Sequence, residues 1–318
     1  MKYDVLGIGN PIIDITSLAS EGFLKENQVC KGAMNLVDKK RLNALKSKLE
    51  NVEKTIAGSV ANTVYGLAYS CAKCAFIGKV AKDEEGDFYK SSFQNVGVDF
   101  ETKPCFGEAT GVSLILVSED FERSMNTYLG ASLNLSVEDV CENTVKNSKI
   151  ILLEGYLMDS ASSKEVLFHV LDLKTDDNKI ALTLSDSLCV KRHRDDFLKL
   201  LNTGKIEILF ANLSEITELF GEDFETKATS VCDEIVVTLG KKGALSIIKG
   251  DKFKANAKGN VIIKDTTGAG DLFASGYLYG ILHNKPPLQR LEIGILSASE
   301  IISHFGTKPK IKLKELMN

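Results

Sequence analysis

The chain has 318 residues, 44% of them hydrophobic and 26% charged, enough to bury one large α/β core or two modest ones. A formal net charge of -4 and a pI near 5.7 argue against a broad basic face for nucleic acid, and no apolar run reaches membrane-spanning length. The expected partners therefore include neither nucleic acid nor membrane, and the expected location is cytoplasmic.

The seven cysteines are scattered and odd in number, which fits reduced thiols better than a disulfide framework. Cys71 and Cys74 form a C-x-x-C, but there is no second such pair, and the histidines at 169, 193, 283 and 304 show no ligand spacing. The pair reads as two small residues on the way into a strand.

Tyr3 to Gly9 is a short apolar strand running into G-I-G-N-P-I-I-D. A dinucleotide fingerprint fails here, because Ile12 stands where the third glycine belongs and Pro11 interrupts the turn. Asn10 and Asp14 instead offer an amide and a carboxylate to the paired hydroxyls of a sugar, with Asp14 accepting; the plainer reading of Asp14 is a turn or cap acid. Next, A-G-S-V-A-N-T over 57–63 opens a helix. Gly58 and Ser59 present backbone and hydroxyl at its start, and Asn62 stands one turn on with donor and acceptor together, unless Ser59 is only an N-cap.

Two stretches, 15–37 and 100–130, break the pattern of strands and helices, the second as a hairpin of G-V-S-L-I-L-V and R-S-M-N-T-Y-L around S-E-D-F-E. They predict a small β lid over the mouth of a site, where it would exclude water; a β excursion or a dimer surface is the alternative. From Ile150 the order is regular. Strands at Ile150–Leu153, Ile180–Leu184, Ile206–Phe210 and Ile235–Leu239 alternate with helices at about 160–174, 190–201 and 214–220. This predicts an α/β, doubly wound, mainly parallel sheet with helices on both faces, in a single domain over 1–318 that carries the lid and binds ligands at the carboxyl ends of its strands.

The later segments suggest a phosphate donor. Asn212 and Glu215, in A-N-L-S-E, form an N-x-x-E suited to organising Mg²⁺ through water, or else Glu215 is a first-turn acid stabilising its own helix. Thr238 and Gly240, in T-L-G-K-K-G, offer a strand end for phosphates or ribose, while Lys241 and Lys242 read equally as a solvated turn. D-T-T-G-A-G-D, 265–271, runs into the apolar helix L-F-A-S-G-Y-L-Y-G-I-L. Gly268, Ala269 and Gly270 let an anion approach backbone N–H groups at the positive end of that helix, and Asp271 falls in its first turn as a candidate base. A capped helix after a glycine turn is the bland alternative. No G-x-x-x-x-G-K-[ST] occurs, which disfavours a P-loop enzyme.

Taken together, D-T-T-G-A-G-D with its small-residue helix, A-G-S-V-A-N-T, N-L-S-E and T-L-G resemble, in order and approximate spacing, the ribokinase or PfkB family of carbohydrate and nucleoside kinases over nearly the whole chain. The family often has two adjacent glycines where Ala57 and Gly58 stand. G-N-P-I-I-D-I, R-S-M-N-T-Y-L-G-A-S and I-S-H-F-G are more similar to adenosine kinases than to ribokinases or fructokinases. The resemblance implies a ribokinase-like fold and transfer of the γ-phosphoryl group of ATP to a primary hydroxyl, with Asp271 as base and the amides of Gly268, Ala269 and Gly270 stabilising the transferring group. It implies Asn10, Asp14, Gly58, Ser59 and Asn62 for the sugar hydroxyls, Arg123 as a cation closing over the phosphates, and Tyr156 stacking on a purine, the last two reading otherwise as an exposed turn arginine and a core aromatic. ATP and Mg²⁺ are the implied cofactors. A monovalent cation, K⁺, is a candidate beside the cradle, at Asp265, Thr267 and the backbone of His304 to Gly306.

Adenosine giving AMP is the first expectation, a kinase of ribose, fructose or a related sugar the second. An NAD-dependent oxidoreductase and a non-catalytic nucleotide- or sugar-binding protein are the readings from other classes. Monomer and homodimer both fit a lid edge.

Overall fold

A computed structural model describes residues 1–50, 52–120 and 122–317. Strand β1 (Tyr3–Ile8) leads directly into β2 (Ile12–Leu18), followed by β3 (Met34–Leu36), β4 (Glu53–Ala57) and the helix Ser59–Tyr69. Then come β5 (Cys74–Ile77), the helix Glu84–Asn95, β6 (Val98–Asp99), β7 (Gly111–Val117) and β8 (Arg123–Tyr128). From β9 (Ser148–Glu154) the chain alternates as expected: helix Ala161–Leu173, β10 (Lys179–Thr183), two short helices, β11 (Ile208–Asn212), helix Leu213–Phe220, a further short helix, and β12 (Glu234–Thr238). A hairpin of β13 (Ala244–Ile248) and β14 (Asp251–Ala255) precedes the helices Ala269–Leu282 and Pro287–Ile301.

Nine of these strands form one sheet in the order β14-β13-β12-β11-β10-β9-β1-β5-β6, parallel except for the antiparallel pairs β12–β13 and β13–β14. The central strands read as near-continuous apolar runs because both faces are covered. Successive residues divide between the two cores: Val5, Ile150 and Leu152 pack on one side, Leu6, Ile151 and Leu153 on the other. Each such leucine or isoleucine contributes about 1.5–3 kcal/mol of burial.

The remaining five strands form a second sheet, β3-β8-β7-β2-β4, where the lid is expected. One of its strands, β4, lies outside both expected lid segments; E-K-T-I-A carries too little alternation to announce a strand and gains its place by antiparallel pairing with β2. Phe121, in the expected S-E-D-F-E turn, lies outside the described residues.

Two further boundaries differ from expectation. The helix expected over 190–201 is two helices, Ser187–Arg192 and Arg194–Leu201, broken at His193, whose Nε2 lies 2.8 Å from Asp159 Oδ1. The strand expected over Ile206–Phe210 is Ile208–Asn212, because its ladder with β10 begins at Ala181 and Ile208. Of the C-x-x-C pair, Cys74 is buried in β5 and Cys71 is exposed in a left-handed turn residue; neither is disulfide-bonded. Among the described residues no helix is long and apolar enough to cross a membrane.

Candidate active site

The parallel register aligns the carboxyl ends of the strands. Ile8 pairs with Leu153, so Asn10, two residues past β1, meets Glu154 at the end of β9: the Asn10 N–H donates to Glu154 Oε1 at 3.3 Å. The Val60 N–H donates to Glu154 Oε2 at 3.0 Å. This buried carboxylate thereby fastens the first turn of the Ser59 helix to the end of β1. Burial pushes Glu154 up to about 8 against those two amides. Gly58 joins the same junction with φ +114, and a Cβ there would stand 2.3 Å from the carbonyl oxygen of Asn10. Tyr89 steadies the approach by donating its hydroxyl to the Ala57 carbonyl at 3.0 Å.

Gly268 turns the chain into the Ala269–Leu282 helix through a left-handed φ of 75, which places Asp271 in the first turn. Ser59 Oγ donates to Asp271 Oδ1 at 2.7 Å and Asn62 Nδ2 donates to Oδ2 at 2.9 Å, while Thr63 Oγ1 donates to the Asp271 backbone carbonyl at 2.9 Å. Ser59 and Asn62, expected against a sugar, are thus placed on the acid, and both also line the cavity beside it. Burial raises the Asp271 carboxyl above its ordinary value, against these two donors and the charge of Lys308.

Two cavities meet at this point. The first, about 390 Å³, is lined by Asn10, Asp14, Gly58, Ser59, Asn62 and Asp271, and farther along by Tyr156, Asn212, Glu215 and Thr267. The second, about 530 Å³, is lined by Thr238, Gly240, Lys241, Ile263, Phe273 and Ala298 among others. Thr266, Ala269 and Gly270 border both, so the glycine turn is the wall between them. Ala269 already donates its N–H to the Thr266 carbonyl at 3.2 Å, which leaves the amides of Gly268 and Gly270 as the freer donors of the cradle. A Cβ at Gly270 would meet nothing within 4 Å, so the backbone there is open to a ligand.

Asp14 is buried on β2, and burial pushes its carboxyl up to about 7 against the opposing pull of Arg123 and Lys308. Tyr156, in the turn after β9, is half-buried at the cavity wall. Arg123 sits at the start of β8 and forms an ion pair with Asp265.

Polar atoms decide which implied groups the residues fit. An anion fits: besides the cradle amides, Thr307 Oγ1 is buried without a hydrogen-bond partner among the described residues, and its methyl lies beside Gly268. Mg²⁺ fits only through water, because Asn212 and Glu215 are engaged with each other as a capping box, Glu215 N–H to Asn212 Oδ1 at 2.9 Å and Asn212 N–H to Glu215 Oε2 at 2.9 Å. Among the described residues, no three His, Cys, Asp or Glu side chains converge as a metal site. The Asp265 carboxylate, expected beside a monovalent cation, is engaged by protein donors. Its Oδ1 accepts from the Thr267 N–H at 3.0 Å, and its Oδ2 accepts from the Gly306 N–H at 3.1 Å and from Arg123, whose guanidinium already supplies the positive charge.

Polar residues that escape sequence reading include the cavity residues Glu154, Arg192 and Thr307, and Lys308, which bonds the cavity residue Asn62. Glu154 had a signal, an acid closing an apolar strand at its carboxyl end, where ligands of such sheets bind. Arg192, at the end of a short helix, is drawn to the cavity rim by two bonds to Asp159 Oδ1 and one to Oδ2. Lys308 donates to Asn62 Oδ1 at 2.7 Å from a loop with no local signature.

A model of the pfkB family carbohydrate kinases matches residues 27–313. Among solved structures the chain is similar to the adenosine kinase from Sinorhizobium meliloti, at 37% identity and a TM-score of 0.91 over 98% of each chain. It is similar also to a probable sugar kinase from Rhizobium etli CFN 42, at 38% identity and a TM-score of 0.91, over 99% of this chain and 97% of that one. Among curated relatives, a 5-dehydro-2-deoxygluconokinase from Clostridium beijerinckii is 26% identical over 280 residues, 82% of each chain.

Proposed function

We propose that this chain, which belongs to the pfkB family of carbohydrate kinases and is a phosphotransferase with an alcohol acceptor, moves the γ-phosphoryl group of ATP to the primary hydroxyl of a nucleoside, adenosine giving AMP. The acceptor lies in the cavity bordered by Asp14 and Asp271, and the donor lies in the cavity bordered by Thr238 and Gly240. Asp271 takes the acceptor's hydroxyl proton on a carboxylate lone pair not used by Ser59 or Asn62. Asn10 and Asp14 hold the remaining hydroxyls. The amides of Gly268 and Gly270, at the positive end of their helix, receive the polyphosphate with the Thr307 hydroxyl beside them. ATP with Mg²⁺ supplies an activated phosphoryl group, and Glu215 and Asn212 would meet that ion through its water.

One observation carries the choice of a nucleoside. The acceptor cavity is lined by the apolar Ile12, Met34, Leu36, Met125 and Leu129, mostly from the small sheet, together with the acids Asp14, Glu154 and Asp271. Apolar side chains suit a base, and the carboxyls suit neutral hydroxyls. The adenosine kinase likeness at 37% identity supports the same reading. The names of the curated relatives favour a second reading, a sugar or sugar-acid acceptor. A carboxylate on the acceptor would need a cation in the cavity wall, whereas Arg192 there is paired with Asp159 and Arg123 is paired with Asp265.

The test is ADP release with ATP and Mg²⁺ across a panel of adenosine, other nucleosides, ribose, fructose and 5-dehydro-2-deoxygluconate. Adenosine should give the highest kcat/KM; a sugar or sugar acid exceeding it would replace the nucleoside.

A further inference from the structure

We propose that Lys308 is a positioning residue for the base: its ammonium anchors the amide oxygen of Asn62, so that the amide NH₂ is held on the Asp271 carboxylate. The inference rests on Asp271 as the base. Burial pushes Lys308 down to about 7 against the pull of Asp14 and Asp271; below that value it is an ammonium with three donors and no acceptor, so its 2.7 Å bond to Asn62 is accepted by Oδ1. The other end of the same amide then stands 2.9 Å from Asp271 Oδ2 as a donor. Lys308 Nζ also lies 4.7 Å from the ring centre of Tyr65, three residues on from Asn62 along one helix face, which fixes the ammonium over that face.

The anchor matters when Asp271 receives a proton. A free amide would turn its oxygen toward the new O–H and stabilise the protonated acid; an amide tied to Lys308 keeps presenting N–H, which favours the carboxylate. The charge of Lys308 acts in the same direction on Asp271. Other charges around the acid are Asp14 on β2, Glu154 on β9, Glu215 on the Leu213 helix, and Arg123 on β8, whose charge is matched by Asp265. Lys308 therefore opposes the burial of Asp271.

The experiment titrates the aspartate carboxyls by ¹³C NMR in the ligand-free protein, the Asp271 signal being assigned by its loss in Asp271→Asn. Lys308→Met should raise the Asp271 midpoint by about one unit, and Lys308→Arg should return it toward the wild-type value. Asn62→Ala should raise it too, and the double variant Asn62→Ala, Lys308→Met should show less than the sum of the two shifts. With adenosine as acceptor, Lys308→Met should move the acidic limb of kcat upward, and KM should rise beside it because Lys308 also pulls on Asp14, so the shift of the kcat limb and of the Asp271 signal are the readouts. An unchanged midpoint in Lys308→Met, or additive shifts in the double variant, overturns the inference. So does a lost melting transition that Lys308→Arg fails to restore, since that would mark a merely structural lysine. The titration needs no acceptor, so failure of the adenosine reading would leave it decisive; near-normal turnover in Asp271→Asn would instead remove the base, and the inference with it.

Discussion

Asp14 and Asp271 show how far single residues carry the chemistry. Both are carboxyls raised by burial, but Asp271 has two side-chain donors and a place in a helix's first turn, while Asp14 lies in a strand of the small sheet. An ionised Asp14 accepts hydroxyls on both oxygens, whereas the protonated acid turns one oxygen into a donor, and burial pushes its carboxyl up to about 7. Lowering pH through 7 protonates it, so the acceptor KM should rise toward acid pH, as measured by initial rates across pH 5.5 to 8.5 (roughly the range that brackets a group at 7). Asp14→Ala should raise KM and flatten that dependence; an unchanged KM would mean the β2 acid holds no acceptor. Asp271 is legible in the sequence because small residues, an acid and an apolar helix are contiguous there. Lys308 is not, since its partner Asn62 is 246 positions away and its own surroundings, F-G-T-K-P, read as an ordinary loop.

At the scale of elements, the alternation after Ile150 is readable because buried parallel strands must be apolar on both faces and the intervening helices amphipathic. The strand β4 is hidden because its stability comes from the partner β2 rather than from its own five residues. The β13–β14 hairpin turns at Lys249-Gly250, both at positive φ, and only Gly250 hints at it in the sequence, since β14, D-K-F-K-A, is mostly charged. The junction of β1, β4 and the Ser59 helix is where element geometry becomes site geometry. Gly58 has a positive φ there and no room for a Cβ against the Asn10 carbonyl. Gly58→Ala should cost about 1–3 kcal/mol, read as a lower melting temperature, and should reduce activity because Asn10 and Ser59 both shift. A variant with wild-type stability and activity would show that the junction tolerates an ordinary residue.

At the scale of the whole molecule, the doubly wound sheet gathers strand ends along one edge, and the two cavities meet only because the glycine turn at 268–270 stands between them. The Ser59 helix and the Ala269 helix converge there and pack along their lengths, with Leu272 and Ser275 against Gly66. Residues 209 and 212 positions apart thereby come to share one carboxylate. That convergence holds Asp271 at the wall between the cavities, where a base is needed, rather than at a position that only caps its helix. The most direct test is Asp271→Asn, with adenosine binding measured by calorimetry beside turnover with ATP and Mg²⁺. Binding within a few-fold of wild type and turnover lower by roughly 10²-fold or more is the predicted result; near-normal turnover in that variant would contradict it.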